Sequence, residues 1–361
     1  MGDADPTSYS VGLGQTNHRI SRRGQDDSLN KDQINLYREM EYFDFQNINL
    51  IPKKCIVQSR SEINTCIQFG NYNFALPIIP ANMECVINEE IAIRLAKQNY
   101  FYIYHRFDTN ILEFSKKMKQ EGLPISISIG VNAEAYDLLT ILKANNCLPD
   151  FLTIDIAHGH SVKMRELVLW IRTSLDKQPY IIAGNVSTGE AVRDLESWGA
   201  DAIKVGIGPG SACTTYIATG FGSRGAQASI VKECAHAQQN PNTKIIADGG
   251  IKEPGDIAKA LVLGADMVMI GGMFSGLKDS PGKVIRDDQG RMYKEFWGSA
   301  SAFQSGKVNR IEGIKRLIPL KERSILEEMV YLKECLQSAV SYGGGSAIRD
   351  LANVQYFLLH S

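Results

Sequence analysis

The chain has 361 residues, of which 44% are hydrophobic and 22% are charged, a composition typical of a globular protein. The formal net charge of -1 argues against a nucleic-acid binder or an anionic-membrane binder, so any recognition of phosphate must be local. No apolar run reaches the roughly 18 residues that a membrane span needs. The sequence is polar from Gly2 onward and lacks the apolar stretch of a signal peptide.

The seven cysteines point to reduced thiols. They are odd in number and show no CxxC spacing, which disfavours both a disulfide framework and a zinc site. A reducing, cytoplasmic compartment fits this pattern.

Residues 1–39 differ from the rest of the chain. They are polar and carry no sustained apolar period, which predicts a disordered extension or a segment added to the native chain. Met40 is then a candidate for the original start. Residues 40–361 are predicted as a single catalytic domain.

Apolar runs alternate with amphipathic stretches along most of that domain. Strands are predicted at 76–80, 100–104, 125–129, 151–155, 180–183, 202–205, 245–247 and 267–270. Helices are predicted at 89–98, 111–120, 133–144, 162–174, 190–198, 226–237 and 256–263. Eight apolar strands in αβ alternation predict the α/β class and a (β/α)8 TIM barrel, with a doubly wound sheet as the structural alternative.

About 90 residues follow the eighth predicted strand. They contain a predicted hairpin at 283–285 and 292–296, a polar segment at 298–319 and a long helix at 325–340. A C-terminal hairpin or flap and a helical extension of this kind usually carry function or oligomer contacts.

Glycine pairs follow the last two predicted strands. Asp248-Gly249-Gly250 comes after the seventh strand and Gly271-Gly272 after the eighth, where this type of barrel usually binds phosphate. Either pair alone is better explained by a tight turn. Together they favour phosphate binding, with Asp248 accepting hydrogen bonds from ribose hydroxyls.

A glycine-rich loop after the sixth strand leads to Cys213. A lone cysteine is more often a small buried apolar residue, but this loop is of the kind that aims a side chain at a substrate. Cys213 is a nucleophile only as the thiolate, and Thr215 is placed to relay a proton. Glu312 is a candidate partner for Thr215, with an ordinary solvated glutamate as the alternative. Asp155 and His158 follow the fourth strand, and His158 and His160 do not by themselves require a metal.

These motifs resemble the IMP dehydrogenase/GMP reductase family over about residues 42–357, and within it the bacterial type of reductase. The matching pieces are Gln58-Ser59-Arg60-Ser61, Pro80-Ala81-Asn82-Met83, Asp155-Ile156-Ala157-His158-Gly159, Ala183-Gly184-Asn185-Val186, the stretch 206–215, the stretch 247–251, Ile270-Gly271-Gly272 and Gly298-Ser299-Ala300-Ser301.

The resemblance implies NADPH-dependent reductive deamination of GMP to IMP, with release of ammonia, in purine salvage. Cys213 would form a covalent thioimidate at purine C2, while Thr215 and Glu312 would handle the proton of the leaving amine. It also implies a homotetramer.

The same resemblance assigns the remaining site residues. The nucleotide would be held by Asp248, Gly249, Gly250, Gly271, Gly272, Gly298, Ser299, Ala300, Arg310 and Gly313. The cofactor would be met by Ser59, Arg60, Arg106, Asp155, Ile156, Ala157, Ile207, Gly208, Ser341 and Tyr342. Gly208, Gly210 and Cys213 match carbonyls that hold a monovalent cation, usually potassium, although Tyr216 stands where some members have arginine.

Two alternatives remain: an NAD-dependent dehydrogenase that oxidises IMP, and a catalytically idle nucleotide-binding barrel. Dehydrogenases commonly insert a pair of CBS domains after the second strand, whereas here Tyr104 leads to Ile111 within a few residues. Their flap carries an Arg-Tyr pair, which is missing between Ala302 and Glu312, and they typically have Gln at the position of Glu312. These differences favour the reductase.

Overall fold

The computed structural model of the protein describes residues 42–301, 304 and 311–359. The predictions for residues 1–39, for Met40 and for Arg310 lie outside these residues. So does most of the segment before Glu312, of which Gln304 and Ile311 are described.

Short strands alternate with longer helices along the described chain. The strands are β1 (Ile48–Leu50), β2 (Ile67–Phe69), β3 (Tyr72–Phe74), β4 (Ile78–Pro80), β5 (Ser126–Ile129), β6 (Phe151–Asp155), β7 (Tyr180–Val186), β8 (Ala202–Val205), β9 (Lys244–Asp248), β10 (Met267–Ile270), β11 (Val284–Arg286), β12 (Met292–Trp297), β13 (Lys315–Pro319) and β14 (Tyr356–Leu358). The helices are α1 (Glu89–Lys97), α2 (Ile111–Gln120), α3 (Ala133–Ala144), α4 (Val162–Ser174), α5 (Gly189–Trp198), α6 (Thr215–Thr219), α7 (Gln227–His236), α8 (Pro254–Val262), α9 (Gly272–Ser275) and α10 (Ile325–Tyr342). Short 3-10 helices lie at Phe45–Asn47, Arg60–Glu62 and Ile348–Asn353.

The central sheet is parallel and has the order β4-β10-β9-β8-β7-β6-β5. Its first strand in sequence, β4, pairs directly with its last, β10, which closes the sheet on that side. A doubly wound sheet cannot make this pairing, because its first and last strands do not become neighbours. The predicted α/β barrel is therefore confirmed.

The second predicted strand, 100–104, differs from the prediction. It forms no ladder; Tyr104 alone bridges to Ile127 of β5, with hydrogen bonds from Tyr104 N to Ser126 O and from Ser128 N to Tyr104 O. Phe101 and Ile103 are nevertheless buried in the barrel interior beside Ile79 of β4. The segment therefore takes the remaining place of the barrel wall with irregular backbone pairing.

The barrel interior is filled by side chains rather than open. Inward residues of the strands, including Ile182, Ala202 and Ile246, form an apolar cluster with Phe69 and Phe74 of the β2–β3 hairpin. This hairpin therefore packs against the barrel interior on the side away from the carboxyl ends of the strands. Functional side chains are left to those carboxyl ends, as is usual for this fold.

Helix starts follow local capping chemistry. Side chains of Asn88, Asn110, Ser161, Thr188 and Ser324 accept backbone N–H hydrogen bonds at the first turns of α1, α2, α4, α5 and α10. Each of these five helices begins within one residue of its predicted start.

The segment after the barrel forms a sheet of its own. β11 and β12 make the predicted hairpin, and β13 adds a third antiparallel strand from within the segment predicted only as polar. The long helix α10 follows, two residues longer than predicted. Among the described helices, none is long and apolar enough to cross a membrane.

Candidate active site

A cleft of about 820 Å³ opens at the carboxyl ends of the barrel strands. It gathers most of the residues singled out from the sequence, which lie at the ends of β6, β8, β9, β10 and β12 or in the loops that follow them, while Arg106 follows the segment 100–104. The predicted residues that line it are Arg106, Asp155, Ile156, Ala157, Ile207, Gly208, Gly210, Cys213, Thr215, Asp248, Gly249, Gly250, Gly271, Gly272, Gly298, Ser299, Ala300 and Glu312.

Cys213, Thr215 and Glu312 form a continuous hydrogen-bonded chain. The Thr215 hydroxyl donates to Glu312 Oε2 over 2.6 Å, and Cys213 Sγ lies 3.2 Å from Thr215 Oγ1. Because Thr215 has a single hydroxyl proton, and Glu312 receives it, the Cys213 thiol is left to donate to Thr215 Oγ1. The chain is therefore directed from the thiol toward the carboxylate.

Backbone pairing holds Glu312 against the cysteine loop. Thr214 N donates to Glu312 O over 2.8 Å, and Ile314 N donates to Ala212 O over 2.9 Å. On the other side, Glu312 N donates to Ala300 O over 3.1 Å. Gly313 bridges to both Cys213 and Ser301, so it supports the cleft from behind instead of lining it.

The glycine pair after β9 has the backbone that a close approach to phosphate requires. Gly249 and Gly250 have φ angles of +84° and +80°, a region that favours glycine. Gly271 and Gly272 follow β10, directly beside β9 in the sheet. The two glycine pairs predicted from the sequence therefore lie side by side at one rim of the cleft.

A buried lysine that the sequence reading did not single out lies at the floor of the cleft. Lys204 Nζ is 2.8 Å from Asp155 Oδ1 and 2.9 Å from Asp248 Oδ2. Asn82 Nδ2 donates to Asp155 Oδ2 over 3.0 Å, and Asn185 Nδ2 donates to Asp248 Oδ2 over 2.7 Å. The signal for it was a single lysine inside the apolar strand Ala202–Val205, because a charge there must be paired.

The charges of this group support one another. Burial alone would raise the pKa of Asp155, but Lys204, the Asn82 amide and Arg106 hold that pKa below its ordinary value. Burial alone would lower the pKa of Lys204, yet Asp155 and Asp248 raise it. Lys204 and Asp155 are thus both ionised at neutral pH.

Basic side chains that were not predicted also line the cleft: Arg224, Lys252, Arg316 and Lys321. Lys321 Nζ donates to Met273 O and lies 3.6 Å from the buried carboxylate of Glu328. These cations give the cleft the local positive charge that an anionic ligand needs, in a chain whose net charge is only -1.

The loop predicted to bind a monovalent cation makes contacts of its own, through Gly210 O and the ring of Tyr216. Gly210 O accepts a hydrogen bond of 3.0 Å from Cys213 N, which uses one of its two lone pairs and leaves the other for a cation. The ring of Tyr216 lies under the Arg224 guanidinium, 4.4 Å from Cζ to the ring centroid. The Arg224 guanidinium therefore packs against Tyr216, the position where some family members have arginine.

Four residues predicted to meet the cofactor lie outside the cleft: Ser59, Arg60, Ser341 and Tyr342. They form a separate surface group, in which Arg60 lies over the Tyr342 ring at 5.4 Å from Cζ to the centroid. Ser341 Oγ is 3.2 Å from Cys55 Sγ. The structure thus brings these four together but not with the other predicted residues.

The chain is a (β/α)8 barrel with a cleft at the carboxyl ends of its strands, and comparison with protein families gives its class. Residues 42–361 match the IMP dehydrogenase/GMP reductase domain, and the chain belongs to that family. The resemblance inferred from the motifs is confirmed.

Comparison with curated proteins shows which members of the family this chain is similar to. A protein named GMP reductase from Mesoplasma florum is 46% identical over 320 residues, covering 89% of this chain and 98% of the relative. Proteins of the same name from Albidiferax ferrireducens and Clostridium acetobutylicum are 47% and 48% identical, covering 89% and 88% of this chain and 97% and 95% of each relative. This chain is thus similar to bacterial GMP reductases over nearly their whole length.

Proposed function

We propose that this protein is a GMP reductase that converts GMP to IMP and ammonia with NADPH, in purine salvage. The observation that carries the proposal is the directed chain from Cys213 through Thr215 to Glu312 in the cleft. The likeness to relatives named GMP reductase supports the choice of substrate.

The directed chain supplies a route for the thiol proton. As the Cys213 sulfur bonds to purine C2, its proton passes to Thr215 Oγ1, and the Thr215 proton passes to Glu312. Glu312 is then an acid, and it protonates the 2-amino group, which leaves as ammonia. The product of this half-reaction is a thioimidate between Cys213 and C2.

The second half-reaction restores the enzyme. NADPH held beside Arg106, Asp155 and Ile156 would supply a hydride to C2; the C–S bond would then break, with Cys213 leaving as thiolate and IMP released. The balance is GMP, NADPH and two protons giving IMP, NADP⁺ and ammonium. Water must be kept from the thioimidate, because hydrolysis would give XMP in place of IMP.

The nucleotide and the cofactor need different parts of the cleft. Asp248 is proposed to hold the ribose of GMP, and the paired glycines Gly249, Gly250, Gly271 and Gly272 its phosphate; all five line the cleft. Gly298, Ser299 and Ala300 complete the proposed nucleotide site; Arg310, also proposed for it, lies outside the described residues, and Gly313 would support it from behind the cleft. Arg106, Asp155, Ile156, Ala157, Ile207 and Gly208 are proposed for the cofactor, together with Ser59, Arg60, Ser341 and Tyr342 of the surface group.

A monovalent cation, potassium, is proposed at the carbonyls of Gly208, Gly210 and Cys213, where it would hold the loop that carries the nucleophile.

We further propose a cytoplasmic homotetramer, with residues 40–361 as one catalytic domain. Support for the domain is that Tyr42–Ser361 forms a single compact unit of contacts. It is also supported by the short connection from Tyr104 to α2, which leaves no room for an inserted domain.

One assay separates the proposal from its alternatives. The purified protein is mixed with GMP and NADPH, and the absorbance of the reduced cofactor is followed together with ammonia. The proposal predicts oxidation of one NADPH for each ammonia released. Reduction of NAD with IMP would instead identify a dehydrogenase, and tight GMP binding with neither signal would identify an idle nucleotide-binding barrel.

A further inference from the structure

Lys204 is the most deeply buried charge in the cleft, with a side chain that is 2% exposed. Its ammonium has three hydrogens and three acceptors: Asp155 Oδ1 at 2.8 Å, Asp248 Oδ2 at 2.9 Å and Met269 Sδ at 3.7 Å. A buried lysine with all its hydrogens satisfied is held in one position.

The sheet is shaped to let Lys204 reach across it. Asp155, Gly184 and Lys204 lie in register on the adjacent strands β6, β7 and β8. Because Gly184 has no side chain, Lys204 can extend over it toward Asp155. A Cβ at position 184 would come within 2.6 Å of Lys204 Cβ, so the neighbour of Lys204 must be glycine.

The two carboxylates that Lys204 joins belong to different ligands under the proposed function. Asp248 is assigned to the ribose of the nucleotide and Asp155 to the cofactor. Their other hydrogen bonds come from Asn185 and Asn82, which are neutral amides. Lys204 is therefore the group that supplies positive charge to both at once.

We propose that Lys204 is a positioning residue that orients both Asp155 and Asp248, so that a single side chain sets the nucleotide subsite and the cofactor subsite together. This inference rests on the proposed function for the identity of the two ligands. Lys204 touches neither reacting atom; it acts through the carboxylates.

Removing the ammonium has a definite electrostatic consequence. Asp155 and Asp248 would face each other across a poorly hydrated floor, with Arg106 still contributing positive charge to Asp155. Like charges in such a place raise the pKa of at least one carboxyl, which then takes up a proton. A protonated carboxyl is a poorer acceptor for ribose hydroxyls, so ligand binding would weaken as the pH falls.

The test measures the affinities of IMP and NADPH separately, by calorimetry, in wild type and in Lys204→Met. Neither ligand reacts when it is present alone. IMP is the product of the proposed reaction and already carries hydrogen at C2, so binding is measured without turnover. We expect both dissociation constants to rise by about tenfold or more in Lys204→Met. We also expect the acid limb of its kcat/KM profile to move up by about one pH unit, a change that a purely structural role would not produce.

Lys244→Met is the matched control. Lys244 also lies on a barrel strand and pairs with an aspartate, Asp266 at 3.0 Å, but it does not line the cleft. We expect both affinities to be unchanged in this variant. If Lys204→Met does not fold, Lys204→Arg keeps the charge and decides the question: both affinities should fall together by a smaller factor, with the acid limb unchanged.

The inference is overturned if removal of Lys204 weakens binding of only one ligand, or if Lys244→Met weakens both equally. Failure of the proposed function is a different result. In that case wild type does not oxidise NADPH with GMP, whatever the two affinities of the variants.

Discussion

The floor of the cleft and its rim are built by different means. On the floor, Asp155, Lys204 and Asp248 lie on strands, and sheet register sets their spacing. At the rim, Thr215 meets Glu312 across 97 residues of chain, through loops held together by a few backbone hydrogen bonds. The carboxylates proposed for ligand binding on the floor are thus on rigid strands, and the groups proposed for proton transfer are on loops. Variants of Cys213, Thr215 and Glu312 should therefore change the rate, and variants of the floor residues should change the affinity.

The largest effect is expected from Cys213→Ala at the rim. The variant loses the proposed nucleophile but no strand contact, so it should fold and bind GMP as wild type does. Turnover should fall by at least about a thousandfold. Steady-state assay of NADPH oxidation and calorimetry of GMP binding measure the two properties side by side. Activity close to that of wild type would refute the covalent role of Cys213.

Glu312→Gln should have the next largest effect. The amide cannot take the proton from Thr215, so release of ammonia should slow by about a hundredfold, while GMP binding changes little. A rapid-quench measurement of ammonia in the first turnover isolates this step. Normal deamination in the variant would remove Glu312 from the mechanism.

Thr215→Val tests the middle of the proton chain. Valine has the shape of threonine but no hydroxyl, so the link from Cys213 to Glu312 is interrupted. We expect kcat to fall by about tenfold or more, with the KM for GMP nearly constant. Thr215→Ser keeps the hydroxyl and is the control, with activity near wild type. Equal losses in the two variants would indicate that packing matters here and proton transfer does not.

Gly184→Ala tests the floor and should have the smallest effect on rate. The added methyl group would crowd Lys204 Cβ, at 2.6 Å before relaxation, and displace its ammonium. We expect a loss of about 1–3 kcal/mol in the free energy of unfolding and a rise in KM for both GMP and NADPH. Denaturant unfolding and steady-state kinetics test this. A fall in kcat with both KM values unchanged would contradict the division between floor and rim.

The sequence predicted the strand-built parts of the molecule better than the loop-built ones. Long apolar runs mark buried strands, so seven of the eight predicted barrel strands are present in the central sheet. The run 100–104 is buried like a strand but pairs only at Tyr104, and hydrophobicity cannot report that difference. β13 was missed because Lys315 and Arg316 are exposed and give it no apolar alternation.

The site residues also fall into two groups, those that the sequence predicted and those that it did not. Cys213 and the glycine pairs were recognised from unusual local sequence, and they line one cleft. Lys204 was missed because its partners, Asp155 and Asp248, are 49 and 44 residues away and become neighbours only through strand order. Arg224 was missed for a related reason, since nothing in its local sequence indicates that it packs on Tyr216.

In the proposed first half-reaction, Cys213 attacks GMP and its proton passes through Thr215 to Glu312. Intact-protein mass spectrometry of samples quenched during the first turnover with GMP and NADPH detects the covalent product of this step. We expect a transient adduct on Cys213 with the mass of GMP less ammonia, absent in Cys213→Ala and slower to form in Glu312→Gln. Conversion of GMP to IMP with no adduct on Cys213 at any time would contradict it.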